Sequence, residues 1–249
     1  MIIDSFLQLK NYCENEKFKG WDPFDGLNSK LFQATSLKHY RISRLAWIQI
    51  FKRNPINLRE KLGVQKDYNP KGIALFLIGY CNLSRYIKKT DDSTFGSLKE
   101  INEKITYLAD LLLLMKSPGY SGACWGYNFD WQNRVFFQPK FTPTVVVTSF
   151  CANALNHAYS VTGIEKYLNI ALSSNHFIVK DLNLTKTRNG IIFSYSPLDK
   201  SQCYNASLLG ARLLAKGYLA SGNKELLKLS QKAYQAIVDN QNEDGSWIY

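Results

Sequence analysis

Carboxylates, phenols and indoles fall together in four short stretches of this 249-residue sequence: Asp22 and Asp25; Trp125, Tyr127, Asp130 and Trp131; Tyr195 and Asp199; and Tyr204 with Asn205. An aromatic face stacks on the C–H face of a sugar while carboxylates and amides bond to its hydroxyls, so the mixture suits a carbohydrate. Two carboxylates flanking one glycosidic bond serve as acid and base, and their separation sets the stereochemical outcome. Asp130 and Asp199 are the candidate catalytic pair, and the other eight residues are candidate substrate contacts. Each has a plainer reading. Asp22 and Asp25 flank Pro23 and precede Gly26, as in a turn whose Asp side chains cap backbone N–H groups. Asp130 caps the chain locally or pairs with Arg134, and Asp199 makes a turn after Pro197.

Metal and cofactor chemistry finds no support in residue spacing. The five cysteines are scattered with no Cys-x-x-Cys pair, and His39, His157 and His176 stand singly, so neither a metal site nor a disulfide framework is expected. Cys124 and Cys203 lie near the candidate stretches, but no histidine adjoins them to activate a thiolate, and they read as small buried residues. No Gly-rich phosphate loop and no Gly-x-Ser-x-Gly elbow occurs, and no cofactor is expected. Asp91-Asp92, the one Asp-Asp pair, sits in a polar loop and reads as solvated surface.

Composition is that of a globular chain, 45% hydrophobic and 14% aromatic. Apolar runs such as Leu111 to Met115 are too short to cross a bilayer. The N-terminal segment lacks a basic stretch and a small-residue cleavage site, so the expected location is the cytoplasm. The formal charge of +11 is uneven: Lys30 to Lys71 holds ten Lys or Arg against Glu60 and Asp67. That stretch suits a pyrophosphate or an anionic inner-membrane surface, or is a solvated helix face. Nucleic acid is disfavoured because no helix-turn-helix, zinc-finger or RNA-recognition signature is present.

The elements that must position these residues are helices. Apolar periodicity predicts helices over 2–15, 36–53, 70–87, 98–116, 143–162, 164–182, 205–221 and 224–240. Thr142-Pro143 reads as an N-cap followed by proline, and Gly163 and Gly222 as helix ends. The segments around Tyr159–Gly163 and Tyr218–Gly222 align, and a glycine followed by aromatic-x-Tyr recurs: Gly122 with Trp125 and Tyr127, Gly190 with Phe193 and Tyr195, Gly245 with Trp247 and Tyr249. The aromatics recur at spacings of 68 and 54 residues, which describes stacked helical hairpins, each closed by a short extended segment. Recurrence at equivalent positions favours packing for Trp125, Phe193 and Trp247. The tyrosines two residues on point to the other side of the segment and are the better cavity candidates.

The run from Ile237 through Gln241 and Gly245 to Trp247 resembles the Gln-Trp repeat of terpene cyclases, which implies an α/α toroid of concentric helices with a ligand cavity at one end. About eight helices are predicted where a six-hairpin ring holds twelve, so an open or truncated ring is expected. The cyclase and prenyltransferase signatures, Asp-x-Asp-Asp and Asp-Asp-x-x-Asp, do not occur. A second resemblance runs through Gly20-Trp-Asp-Pro-Phe-Asp-Gly-Leu-Asn-Ser29, Trp125 to Trp131, Thr142 to Phe150, and Phe193 to Ser207. These stretches are similar to a bacterial toroid family encoded in capsule and lipopolysaccharide biosynthesis clusters. That similarity implies a context, surface-polysaccharide assembly, and a ligand that is a carbohydrate or a lipid-linked saccharide.

The expectation is therefore an all-α chain, one α/α toroid domain over 1–249, that binds or processes a carbohydrate at an aromatic and acidic cavity. A non-catalytic scaffold of the same fold, and an isoprenoid-handling enzyme, are the alternatives.

Overall fold

The computed structural model describes residues 2–247, so Tyr249 of the third aromatic triplet lies outside the described residues. The fold is helical: α1 (Ile2–Asn15), α2 (Lys30–Gln33), α3 (Arg41–Arg53), α4 (Pro70–Thr90), α5 (Leu98–Leu114), α6 (Val145–Thr162), α7 (Glu165–Lys180), α8 (Tyr204–Ser221) and α9 (Lys224–Val238). Two small antiparallel ribbons interrupt it: β1 (Trp131–Gln132) with β2 (Phe137–Gln138), and β3 (Leu184–Lys186) with β4 (Ile191–Phe193). The helices predicted from periodicity are present, with two corrections. The one expected over 36–53 is split: a 3-10 turn at Ser36–His39 closes when the Tyr40 N–H bonds to the Leu37 carbonyl at 3.1 Å, and extended Tyr40 precedes α3. The N-cap of α6 is Thr144 rather than Thr142. Its hydroxyl accepts from the Val147 N–H at 3.1 Å, while Pro143 is still extended and bridged to Gly126.

The chain divides into two compact units, one of Met1–Ile73 with Tyr127–Thr142 and one of Ala74–Gly126 with Pro143–Tyr249. In the first unit, buried Leu27, Phe32 and Ile48 form a core against which Phe24, Trp47, Trp131 and Phe137 pack. Here the 3-10 turn Asp25–Asn28, α2 and α3 are pinned together. Trp47 donates its indole N–H to the Gly26 carbonyl at 3.0 Å and stacks on Phe32.

In the second unit α6 packs on α5, α7 and α8, and α8 on α7 and α9. The helical hairpins α6–α7 and α8–α9 turn in the same way. Gly163 and Gly222 adopt φ of 71° and 70°, and each N–H bonds to a tyrosine carbonyl, Tyr159 or Tyr218, at 2.7 Å. The extended segments repeat as well. The Trp125 N–H donates to the Thr148 hydroxyl on α6, and the Phe193 N–H to the Ser207 hydroxyl on α8, both at 3.1 Å. Trp125 and Phe193 are accordingly buried equivalents that join a hairpin to the next helix.

Candidate functional site

The ten residues singled out from the sequence divide evenly: Asp22, Asp25, Tyr127, Asp130 and Trp131 lie in the first unit, and Trp125, Tyr195, Asp199, Tyr204 and Asn205 in the second.

In the second unit the side chains of Trp125 and Asp199 serve the backbone. Trp125 is fully buried, and its indole N–H donates to the Leu112 carbonyl at 2.7 Å. Asp199 is buried inside a turn. Its Oδ1 accepts from the N–H groups of Tyr195 and Ser201 and from the Ser201 hydroxyl; its Oδ2 accepts from the Ser196 N–H at 2.7 Å and hydroxyl at 2.6 Å. Five donors thus occupy this carboxylate, as the turn reading of Pro197–Asp199 describes. Tyr195 is half-buried, and its carbonyl accepts from the Val145 N–H at 2.9 Å. Tyr204 and Asn205 begin α8, where the Cys203 thiol donates to Asn205 Oδ1 at 3.0 Å and burial raises the thiol above its ordinary range.

In the first unit Asp22 and Asp25 hold their own turn. Asp25 Oδ2 accepts from the Asp22 N–H at 3.0 Å, and Asp22 Oδ1 from the Phe24 N–H at 2.9 Å. The Asp22 Oδ2 takes the Asn69 amide at 3.0 Å. Arg59 closes the motif, its Nε bonded to Asp25 Oδ1 at 2.8 Å and its Nη2 to the Asp22 carbonyl at 2.9 Å. Burial pushes both carboxyls above their ordinary values, against the pull of Arg59. Trp131 packs edge-on against Phe24 and Phe136, and Tyr127 stacks on Phe129 with centroids 5.1 Å apart.

Asp130 is different, because it opens onto a cleft of about 470 Å³ within this unit, a volume suited to a small-molecule ligand. One wall comes from the Asp25–Asn28 turn and α2, with Asn28, Lys30 and Gln33; the second from Gly63, Gln65, Lys66 and Asp67; the third from Asn128, Asp130, Lys140 and Phe141. Asp130 Oδ1 accepts from the Lys140 N–H at 2.8 Å, and its Oδ2 has no donor among the described residues. The Asn28 side-chain amide donates to the Asn128 backbone carbonyl at 3.0 Å. Asn128 is 8% exposed, and its Oδ1 has no hydrogen-bond partner among the described residues, although a buried amide oxygen ordinarily has one.

Phe141 occupies the left-handed region at φ 62°, a conformation uncommon for a bulky residue, held by its N–H bond to the Tyr127 carbonyl at 2.7 Å. Four lysines meet two aspartates in the cleft, and Glu16 offsets one of them through Lys66 at 2.7 Å. Among the described residues no group of three His, Cys, Asp or Glu is placed to hold a metal ion.

The amides Asn28, Asn128, Gln33 and Gln65 escaped selection by sequence because amides carry no signature of their own. Asn28 and Asn128 do fall inside two of the stretches that carried the resemblance.

No protein-family model and no curated protein sequence matches this chain. Among solved structures the chain is similar to D-mannose isomerase, with a TM-score of 0.51 and 16% identity over 88% of this chain and 58% of that one. It also aligns with an inactive variant of the α-1,6-mannanase of Salegentibacter sp. HEL1_6 in complex with α-1,6-mannotriose, at a TM-score of 0.44 and 14% identity over 79% of this chain and 52% of that one. The chain thus spans a little over half the length of each. The first likeness establishes the fold class: an all-α chain of the α/α toroid type.

Proposed function

We propose that this chain binds or processes a carbohydrate at the cleft of its first unit. The observation that carries the reading is the 470 Å³ polar cleft, lined by Asn128, whose buried Oδ1 has no hydrogen-bond partner among the described residues. A buried unsatisfied oxygen costs about 1–3 kcal/mol, a cost that a ligand hydroxyl donating to it would offset. Asp130 Oδ2 is a second acceptor for a sugar hydroxyl, while Gln65 and the lysine ammoniums offer donors to ring and hydroxyl oxygens. Phe141 supplies an apolar face for the C–H side of the ring. Asp130 is one of two acids lining this site, with Asp67. Asp199, bonded by five donors, supports the turn that carries Tyr195. The name of the structural neighbour at a TM-score of 0.51, a mannose isomerase, agrees with a sugar ligand.

The finer reading, a cytoplasmic protein of surface-polysaccharide assembly acting on a lipid-linked saccharide, draws support from the basic excess of Lys30 to Lys71. Of that stretch, Lys52, Arg53 and Lys61 are exposed and available to an anionic membrane surface. No described helix is long and apolar enough to cross a membrane.

A thermal-shift panel of D-mannose, a neutral mannose oligosaccharide and a uronic-acid oligosaccharide tests the reading, because a ligand bound only by the folded state raises the melting temperature. The proposal expects a rise with at least one saccharide that is lost in Asp130→Asn. A flat panel on a cooperatively melting protein would overturn it.

A further inference from the structure

In the second unit cations from two helices gather about His157 of a third, and among the described residues no ion pair joins any of them to an acid. Arg85 on α4 places Nη1 3.1 Å from His157 Nδ1 on α6, and its Nη2 donates to the Ser160 hydroxyl at 2.6 Å. A guanidinium only donates, so His157 accepts through Nδ1 and its ring is neutral, with the proton on Nε2. From α8, Arg212 and Lys216 stand one helical turn apart, a spacing at which like charges repel. Burial together with Arg85, Lys216 and Arg212 holds the His157 ring below its ordinary range; burial and Arg212 do the same to the Lys216 ammonium. No carboxylate counts among the groups acting on either.

Between α6 and α8 lies a recess bounded by Ser149, Asn153, Arg212 and Lys216, with apolar walls from Phe150 and Leu213. Lys216 Nζ donates to Asn153 Oδ1. The Ser149 hydroxyl, on a residue only 7% exposed, has no hydrogen-bond partner among the described residues. The recess measures about 30 Å³, room for one or two water-sized groups and too small for a sugar ring.

We propose that this recess seats one or two oxygens of a terminal phosphoryl or sulfate group. Lys216 and Arg212 supply the charge, the Ser149 hydroxyl donates to one oxygen, and the Phe150 and Leu213 walls exclude water so that these bonds count for more. An oxyanion here removes the repulsion between Arg212 and Lys216 and satisfies the buried hydroxyl. It also draws a proton onto His157, the one titratable ring in the cluster. The site shares no residue with the carbohydrate cleft and stands independently of it.

The test titrates the whole chain with sodium phosphate, sodium sulfate, glucose 6-phosphate and glucose against sodium chloride at matched ionic strength. Melting temperature and the NMR titration of the His157 ring are followed together, the ring signal being assigned by its loss in His157→Gln. The proposal expects phosphate, sulfate or glucose 6-phosphate to raise the melting temperature and the His157 midpoint where chloride and glucose do not. Both effects should weaken at least tenfold in apparent affinity in Arg212→Gln, an exposed position that tolerates the change, and in Lys216→Gln. Tighter binding of glucose 6-phosphate than of inorganic phosphate identifies a phosphate ester as the ligand, and equal binding identifies the free anion. Responses equal to those in chloride, or unchanged in both variants, would overturn it.

Discussion

The Asn28 side-chain amide donates to the Asn128 backbone carbonyl at 3.0 Å, joining segments one hundred residues apart into one rim of the cleft. The bond fixes the backbone of Asn128 while leaving its side-chain oxygen without a donor. Rigid backbone beside an unsatisfied acceptor is what a preorganised binding position requires.

Replacing Asn128 with leucine separates stability from binding. The change removes a buried unsatisfied oxygen in favour of an apolar group of similar size, so urea unfolding should show stability unchanged or raised, by up to about 2 kcal/mol. Saccharide binding should fall at the same time. A loss of several kcal/mol in stability would mean that Asn128 holds the fold rather than a ligand.

Arg59 clamps the Asp22–Asp25 turn through two bonds, and both partners of the Arg59–Asp25 pair are largely shielded from water. Arg59→Met leaves Asp25 buried without its cation and should cost about 3–5 kcal/mol. Arg59→Lys should recover only part of that, because an ammonium cannot span both the Asp25 carboxylate and the Asp22 carbonyl in the guanidinium geometry. Denaturant midpoints of the two variants check the order.

Asp22 has a signature in pH. Burial raises its carboxyl above the ordinary value, so the folded chain holds this proton to higher pH than the unfolded chain does. The stability Asp22 contributes is therefore fully present below the unfolded value of about 3.9 and declines as pH rises through the raised value. The stability of the wild type minus that of Asp22→Asn should shrink as pH rises above the unfolded value of about 3.9. A difference that stays constant or grows over that range contradicts the burial account.

The hairpin repeat can be broken at matching positions. A methyl group added at Gly122 would stand 2.0 Å from the Ser173 carbonyl oxygen of α7, and one at Gly190 would stand 2.2 Å from the Lys232 carbonyl oxygen of α9. Neither backbone can yield cheaply, so Gly122→Ala and Gly190→Ala should each lose about 3 kcal/mol. Gly163→Ala meets no neighbour and should cost about 1 kcal/mol, from its positive φ alone. Equal losses at all three positions would show that close packing is not what selects glycine at 122 and 190.

Much of the fold is legible in the sequence because its signals are local. Apolar periodicity marks the helices of the second unit, and Tyr159–Gly163 and Tyr218–Gly222 mark the same helix end twice. The first unit is harder to read: α2 has four residues and the Asp25–Asn28 turn another four, too short for a period to develop. The Thr142-Pro143 signal misplaces the cap of α6 by two residues because Thr144, also a good cap, bonds to Trp125 only in the folded chain. Among the site residues, the plainer readings of Asp22, Asp25 and Asp199 match the turns observed. Asn28 and Asn128 acquire meaning only from burial and a missing partner, which are properties of the folded chain. Arg212 and Lys216 are legible as a pair on one helix face, but their action on His157 depends on how α6 and α8 pack.

The central claim is that the cleft around Asn128 and Asp130 binds a sugar. Isothermal titration of the wild type, Asn128→Leu and Asp130→Asn with the saccharide giving the largest thermal shift tests it most directly. The account predicts saturable binding by the wild type, weakened at least tenfold in each variant while both still melt cooperatively. Equal affinity for all three proteins would place the ligand elsewhere and contradict the claim.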